Sequence, residues 1–559
     1  MEKYWLKSYP PGVPADINPA DYPSLKHLFD ACSARYADRP AYSNFGRTLS
    51  FGQLNSMSRA FGAWLLKEAR LEPGDRIALM MPNILQYPIA IFGALSAGLT
   101  VVNVNPLYTH RELEHQLKDS GAKAIVVFEN AAHVLQECIA ETDIELVIVT
   151  GIGDLLGFPQ GPLVNFVLRT VRRQVKPYSL PGAHSFSEVL EQGKWVNLPK
   201  VEVRDSDVAF LQYTGGTTGV SKGAVLTHRN MVSNALQAAA WFRQFDEAKD
   251  QPQTIVGALP LYHIFALTSV ALLWLLLGGH SVLITNPRDM KAFVKDLKKH
   301  RCTVYYGVNT LFNGLLNTPE FASVDFSGMV SCIAGGMALQ GAVAERWKAL
   351  TGCELGQGWG LTETSPIATT NPRNVGFSNS IGLPMPSTEI AIVDDDGRAL
   401  AIGEVGELCV RGPQVMRGYW NRPDETAKVM LEGGWLRTGD IGRMDAAGFV
   451  YIEDRKKDMI LVSGFNVYPN EVEGVIARHP GVVEVAAVSQ PDERSGEVVA
   501  VFVVRRDPSL SAEQLIEFSR ADLTGYKVPR HVYFREELPK TNVGKILRRA
   551  LRDELLKKA

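Results

Sequence analysis

Between residues 76 and 213, short apolar runs alternate with stretches of helix length. The runs at 76–81 (RIALMM), 100–104 (TVVNV), 124–128 (AIVVF), 144–150 and 208–213 read as strands, and 82–97 and 111–120 as helices. This rhythm predicts an α/β fold with a parallel sheet covered by helices. Near Ile390 the texture changes to short runs broken by Asp-Gly and Gly-Glu turns, which predicts a small β subdomain over about 385–453. Beyond the charged segment 453–458 (EDRKKD), helix and strand alternate again at 469–478, 482–488, 498–504 and 512–520. A chain of 559 residues is too long for one core. The expected organisation is a large N-terminal domain of α/β subdomains, 1–453, and a small α+β C-terminal domain, 454–559. Residues 455–559 carry 18 Lys/Arg against 15 Asp/Glu, a mildly basic balance that suits a lid over phosphates and equally an ordinary solvated surface.

Composition narrows the class by exclusion. With 46% hydrophobic and 21% charged residues and a net charge of −2, the chain is ordinarily globular, and nucleic acid is not expected as a partner. The six cysteines form no CxxC pair, so free thiols in a reducing compartment are expected. The opening MEKYWLKSYPPGVP lacks the apolar core of a secretory signal. The most apolar run, 266–277 (ALTSVALLWLLL), falls short of the roughly 20 residues of a membrane span and reads as a buried helix. We therefore expect a cytoplasmic protein, at most peripheral on the inner face of the cell membrane. One segment suits such contact. On a helical wheel, 163–176 puts Leu163, Val164, Phe166, Val167, Leu168, Val171 and Val175 on one arc and Arg169, Arg172, Arg173 and Lys176 on the other. Packing of that arc onto the protein's own body is the alternative, and a homodimer is left open.

The predicted strand 208–213 runs straight into Thr214, Gly215, Gly216, Thr217, Thr218 and Gly219, with Lys222 close behind. Glycines let backbone N–H groups converge on phosphate oxygens, threonines add hydroxyl donors, and the lysine adds charge. A Walker A loop does not fit, because Lys222 follows Ser221 in no permitted register and Gly544-Lys545 lacks the upstream glycine. Residues 219–223 match the G-x-S-x-G elbow of acyl hydrolases, but an elbow serine follows its strand directly. Here polar loop intervenes, which disfavours Ser221 as a nucleophile.

Further segments follow in order: LSAGLTVVNVNP (95–106), LPLYHIFAL (259–267), AGGM (334–337), GQGWGLTET (356–364), WLRTGDIG (435–442), DRKKDMILVSGFNVYPNEVE (454–473) and PKTNVGKILRR (539–549). Together with the Gly/Thr loop, they resemble the adenylate-forming superfamily of acyl-CoA synthetases, luciferases and peptide-synthetase adenylation domains. The opening KYWLKSYPPGVPADINP, with LTHRNM, ITNPRD and TGYKVPR, is most similar to its bacterial long-chain fatty-acid–CoA ligases.

The resemblance implies ATP and CoA as co-substrates, Mg²⁺ as cofactor and a fatty acid as substrate, with acyl-CoA feeding fatty acid degradation. It implies an ATP grip at Tyr213, Thr214, Gly215, Gly216, Thr217, Thr218, Gly219 and Lys222. Glu363, with Thr214 or Thr217, would hold the metal; Asp440 would take the ribose hydroxyls, backed by Arg455. Gly335, Gly336, Gly360 and Thr362 would receive the nucleotide, and Trp359 would stack on adenine. The superfamily more often has tyrosine at Trp359 and proline at Ser221, so no contact of the tyrosine hydroxyl carries over. Lys545 would bridge carboxylate and α-phosphate during adenylation. The resemblance further implies rotation of the small domain about Asp454, bringing Ser463, Gly464 and Phe465 to the CoA passage. Asp454→Pro is then expected to spare adenylation and block thioester formation. His263 would lie near the acyl and CoA passages, or be a core histidine, and the helix over 266–277 could wall an alkyl tunnel. The nearest rivals are a fatty acyl-AMP ligase and a medium-chain or aryl acyl-CoA synthetase. Outside the class stand a silent nucleotide-binding regulator and an acyl hydrolase using Ser221.

Overall fold

A computed structural model describes residues 3–214, 221–248, 252–373, 375–492, 494–541 and 544–557. The alternating runs form a seven-stranded sheet. In spatial order it holds His184–Ser185, Leu146–Thr150, Ala124–Phe128, Arg76–Met80, Thr100–Val104, Val208–Thr214 and Lys222–Thr227. All neighbours are parallel except the last pair, in which Thr214 faces Lys222. The chain thus turns back on itself beyond Thr214 and returns as Lys222. The first helix covers Gln86–Ser96, starting later than the apolar pattern from residue 82 suggests. The physical reason is Asn83, whose amide donates to the carbonyls of Gly257 and Leu259 and accepts from Leu261 N–H. Those bonds stitch the first sheet's connection to the second.

The second sheet has 14 strands. Its centre is parallel: Thr254–Gly257, Val304–Gly307, Ser331–Gly335 and Leu355–Gly360 run side by side. The antiparallel strands Glu389–Val393, Gly406–Arg411, Trp435–Met444 and Val450–Arg455 match the turn-rich texture after Ile390. They are not a separate sheet, because Ser380 and Gly382 pair with Tyr451 and Val450 and carry the ladder across. The third sheet, with Phe465–Val467, Ile460–Val462, Gly496–Arg505, Val482–Asp492 and His531–Arg535, belongs to the small C-terminal domain. Separate apolar clusters lie under it, one centred on Val472, Ile476 and Leu515, the other on Phe502, Leu551 and Leu555.

The run predicted as a core helix is one: Ile264–Ala266, Leu267–Leu272 and Leu273–Leu277 follow without a break, the middle stretch wound as a π-helix. Gly278, at φ 70°, ends it in the left-handed conformation that favours glycine. The six cysteines are free, and five of them are buried. Among the described residues no helix is long and apolar enough to cross a membrane.

Candidate active site

Ligands of open α/β sheets gather beyond the carboxyl ends of the parallel strands. A cavity of 350 Å³ lies there, lined by Thr214, Gly335, Gly336, Trp359 and Gly360 at the ends of three strands. Lys222, Thr362, Glu363, Arg455 and Lys545 complete a polar end. Ala238, Trp241, Phe242, Phe245, Leu273 and Met385 add an aromatic and aliphatic wall, with Gln244 and Asn371 beside Trp241. His263, Phe265 and Tyr306 line the cavity as well.

At the polar end the charges are held by partners distant in sequence. The Tyr419 hydroxyl donates to Glu363 at 2.7 Å, and burial and that carboxylate push the phenol's pKa up. Lys222 is ion-paired to Glu425 and lies 4.9 Å from the centre of the Tyr419 ring. Asp440, 3% exposed, is gripped on both oxygens, by the Arg455 guanidinium at 2.9 Å and by the Trp359 indole N–H at 2.9 Å.

Lys545 enters this end from the small domain. A Cβ placed on Gly336 would lie 3.2 Å from Lys545 Cε, so the lysine passes directly over the Ala334-Gly335-Gly336 turn. Gly544 makes the approach possible: its φ is 84°, and a side chain there would meet Thr310 Oγ1 at 3.0 Å. The Thr310 hydroxyl instead donates to the Gly544 carbonyl at 2.9 Å. Burial, aided by Arg455, pushes the Lys545 pKa down to about 8, against the pull of Asp440 and Glu363. His263 is pushed down to about 3, by burial first and by Lys545 second, and is neutral at physiological pH. Its Nδ1 accepts from Phe265 N–H, capping the apolar helix.

Asp454 is enclosed, unlike its charged neighbours in EDRKKD. It ends a strand, its side chain is fully buried, and it accepts from the N–H groups of Asn470 at 2.8 Å and Arg455 at 2.7 Å. Arg548 lies 3.4 Å from it and is also paired with Glu473 at 2.7 Å. Burial pushes the Asp454 carboxyl up to about 6 despite that cation.

Some expected site residues do not reach the cavity. Tyr213 points to the opposite side of its strand, as side chains alternate, and its hydroxyl donates to Asp119 at 2.7 Å. Ser463, Gly464 and Phe465 form an exposed hairpin tip, with Phe465 stacked on Tyr526 at 5.0 Å. Gly215, Gly216, Thr217, Thr218 and Gly219 lie outside the described residues. Ser221 is spent on structure: its hydroxyl donates to the Thr214 carbonyl at 2.6 Å. His115 meets Ser221 only at its backbone carbonyl, so no general base addresses the hydroxyl among the described residues. Sequence reasoning missed Tyr419, Glu425, Arg548 and the aromatic wall at Trp241, Phe242 and Phe245. The only local signal was the aromatic pair Tyr419-Trp420.

Residues 29–420 match the family model described as AMP-binding enzyme, and 471–545 match the AMP-binding enzyme C-terminal domain. The chain belongs to the AMP-binding enzyme family. A long-chain-fatty-acid–CoA ligase of Salmonella typhimurium is 56% identical to this family member, over 99% of this chain and 98% of that protein. The protein of the same description from Haemophilus influenzae is 52% identical, over 100% and 99%. Among solved structures, ATP-bound MatB from Rhodopseudomonas palustris superposes with a TM-score of 0.80 at 27% identity, covering 95% of this chain and 98% of that one. The fold is that of adenylate-forming enzymes, a large N-terminal domain with a small C-terminal one.

Proposed function

We propose that this enzyme joins a long-chain fatty acid to CoA in two steps, forming acyl-AMP and pyrophosphate from ATP and then acyl-CoA and AMP. The observation that carries the reading is one cavity that joins an aromatic and aliphatic wall to Lys545, Lys222 and Glu363, with Asp440 held behind its lining residues Trp359 and Arg455. The 56% identity to long-chain-fatty-acid–CoA ligases over nearly the whole chain supports the substrate class. Turnover that needs both ATP and CoA and rises with acyl length up to long chains is the expected result. Product formation without CoA acceptor chemistry, or hydrolysis without ATP, would contradict it.

In this reading the fatty carboxylate sits beside Lys545, whose ammonium offsets the charge that builds as it attacks the α-phosphate. Thr214 and Lys222 grip the phosphates, and Lys222 exchanges Glu425 for them. Gly335, Gly336, Gly360 and Thr362 border the nucleotide. Glu363 and the Thr214 hydroxyl offer a magnesium ion one carboxylate and one neutral oxygen. That donor set suits an ion carried mainly by ATP phosphates, and no cluster of three His, Cys, Asp or Glu side chains able to cage a metal occurs among the described residues. Magnesium would neutralise phosphate charge and hold the leaving group; the Tyr419 hydroxyl keeps Glu363 aimed at the cavity. For CoA attack, the small domain turns about Asp454, withdrawing Lys545 and bringing Ser463, Gly464 and Phe465 in.

Because Lys545 is charged only below its pKa of about 8, kcat/KM for ATP in adenylation should fall as pH rises through that value. Bound ATP adds negative charge and raises the pKa, so the corresponding limb in kcat should lie at higher pH. In Lys545→Arg the limb should vanish from whatever activity remains, since guanidinium keeps its proton. Parallel pH–rate profiles of both enzymes check this.

We also propose that residues 158–173 rest on a lipid surface. The helix Gln160–Phe166 and the π-turn Val167–Val171 are anchored through polar side chains. Arg169 pairs with the fully buried Glu129 at 2.7 Å, and Asn165 donates to Asp154 at 2.8 Å. That leaves Phe158, Leu163, Phe166 and Val171 between 57% and 92% exposed beside Arg172 and Arg173, and no Asp or Glu occurs from 155 to 187. A Phe166→Asp, Arg172→Glu variant should lose about tenfold in sedimentation with anionic vesicles. Undiminished binding would remove this contact.

A further inference from the structure

We infer that Trp359 is a positioning residue for the ribose-binding carboxylate, acting through its indole N–H as well as its face. The inference rests on the proposed ATP site and goes beyond stacking. The Asp440 carboxylate is nearly inaccessible, and its two oxygens have different partners: Oδ1 takes Arg455 Nε at 2.9 Å and Oδ2 takes Trp359 Nε1 at 2.9 Å. Its backbone N–H is bound as well, to the Thr438 hydroxyl at 3.1 Å. A carboxylate offers about four lone-pair sites, so each oxygen keeps one for a hydroxyl of the ribose cis-diol. One partner alone would leave the carboxylate free to turn about its Cβ–Cγ bond. Two partners on different oxygens hold its plane.

The two partners are not equivalent. Arg455 directly follows Asp454, the proposed pivot, and its side chain is 45% exposed. Trp359 ends a strand in the centre of the large domain's second sheet, beyond the reach of any turn of the small domain. Indole N–H is a donor that cannot act as an acceptor, so it offers Asp440 one arrangement only. Phenylalanine cannot supply it, and a tyrosine hydroxyl sits at a different distance from the backbone.

The test separates stacking from the hydrogen bond. Trp359→Phe keeps an aromatic face and should raise KM for ATP about ten- to a hundredfold, the order for losing one bond to a charged group, with kcat within about threefold. Acyl-adenylate formation with 2′,3′-dideoxy-ATP removes the hydroxyls that Asp440 would hold. With that nucleotide the KM ratio of Trp359→Phe to the unaltered enzyme should fall to within about twofold of one. Trp359→Tyr should behave as Trp359→Phe does, in the same nucleotide-dependent way. An equal KM increase with ATP and with the dideoxy nucleotide, in both variants, would overturn the inference and leave stacking alone. Failure of the unaltered enzyme to form acyl-adenylate from ATP would instead overturn the functional reading on which the inference rests, so the two failures are distinct.

Discussion

Lys545→Ala should slow acyl-adenylate formation by about 10²–10³-fold, the usual loss when one preorganised charge at a reacting centre is removed. The expected loss is large because two of the other cations that line the cavity are committed elsewhere. Arg455 is committed to Asp440 at 2.9 Å, and Lys222 stands at the Glu425 and Tyr419 side of the cavity. The fold should survive, since Lys545 makes no ion pair within the small domain among the described residues, and its loop backbone is held by Thr310 and by the Thr541–Lys545 bond. Thioester formation from supplied acyl-adenylate and CoA should stay within about threefold of the unaltered enzyme, because in that step the lysine has withdrawn. Single-turnover measurement of each half-reaction checks both halves of the expectation. Loss of both steps together would mean that the lysine is structural.

Asp454→Pro should do the reverse, and the structure sharpens what it costs. Proline fixes φ and removes an N–H, so a turn that needs new backbone torsions at this residue is blocked. Thioester formation should fall on the order of 10²-fold, as expected when a catalytic group is displaced from its working position. The same substitution deletes a buried carboxylate. Asn470 N–H loses its acceptor, at a cost of about 1–3 kcal/mol, while Arg548 keeps Glu473 at 2.7 Å. Some fall in Tm and a modest fall in adenylation are therefore expected, where the sequence alone suggested adenylation nearly intact. Asp454→Ala separates the two effects: it deletes the carboxylate but leaves φ free, and should lose stability without losing the second half-reaction. If the alanine variant loses thioester formation as fully as the proline variant, Asp454 is an interdomain clasp and the pivot lies elsewhere.

Much of the site was legible because its backbone is local. The strand end at Thr214 could be read from the apolar run before it, and Gly544 allowed a tight turn before Lys545, while Gly335 and Gly360 were marked only by resemblance. The partners that orient each charge were not legible. Tyr419 stands 56 positions from Glu363, and Glu425 stands 203 from Lys222; no spacing rule reaches that far. The contact of Trp359 with Asp440, 81 positions away, depends on how antiparallel strands continue the parallel sheet. The helical wheel over 163–176 found the apolar arc but not which way it faces, because the buried partner of Arg169 is Glu129 on another segment. The burial of Asp454 was hidden for a related reason: its sequence neighbours are charged, while the fold encloses its side chain.

The central claim is that the cavity joins a fatty carboxylate to the α-phosphate of ATP before any thiol arrives. Isotope exchange between pyrophosphate and ATP, in magnesium and without CoA, measures that step alone. Exchange should require a fatty acid, be stronger with long chains than with acetate or benzoate, and disappear in Lys545→Ala. Exchange that is absent with every fatty acid, while acyl-CoA still forms when CoA is added, would contradict the account.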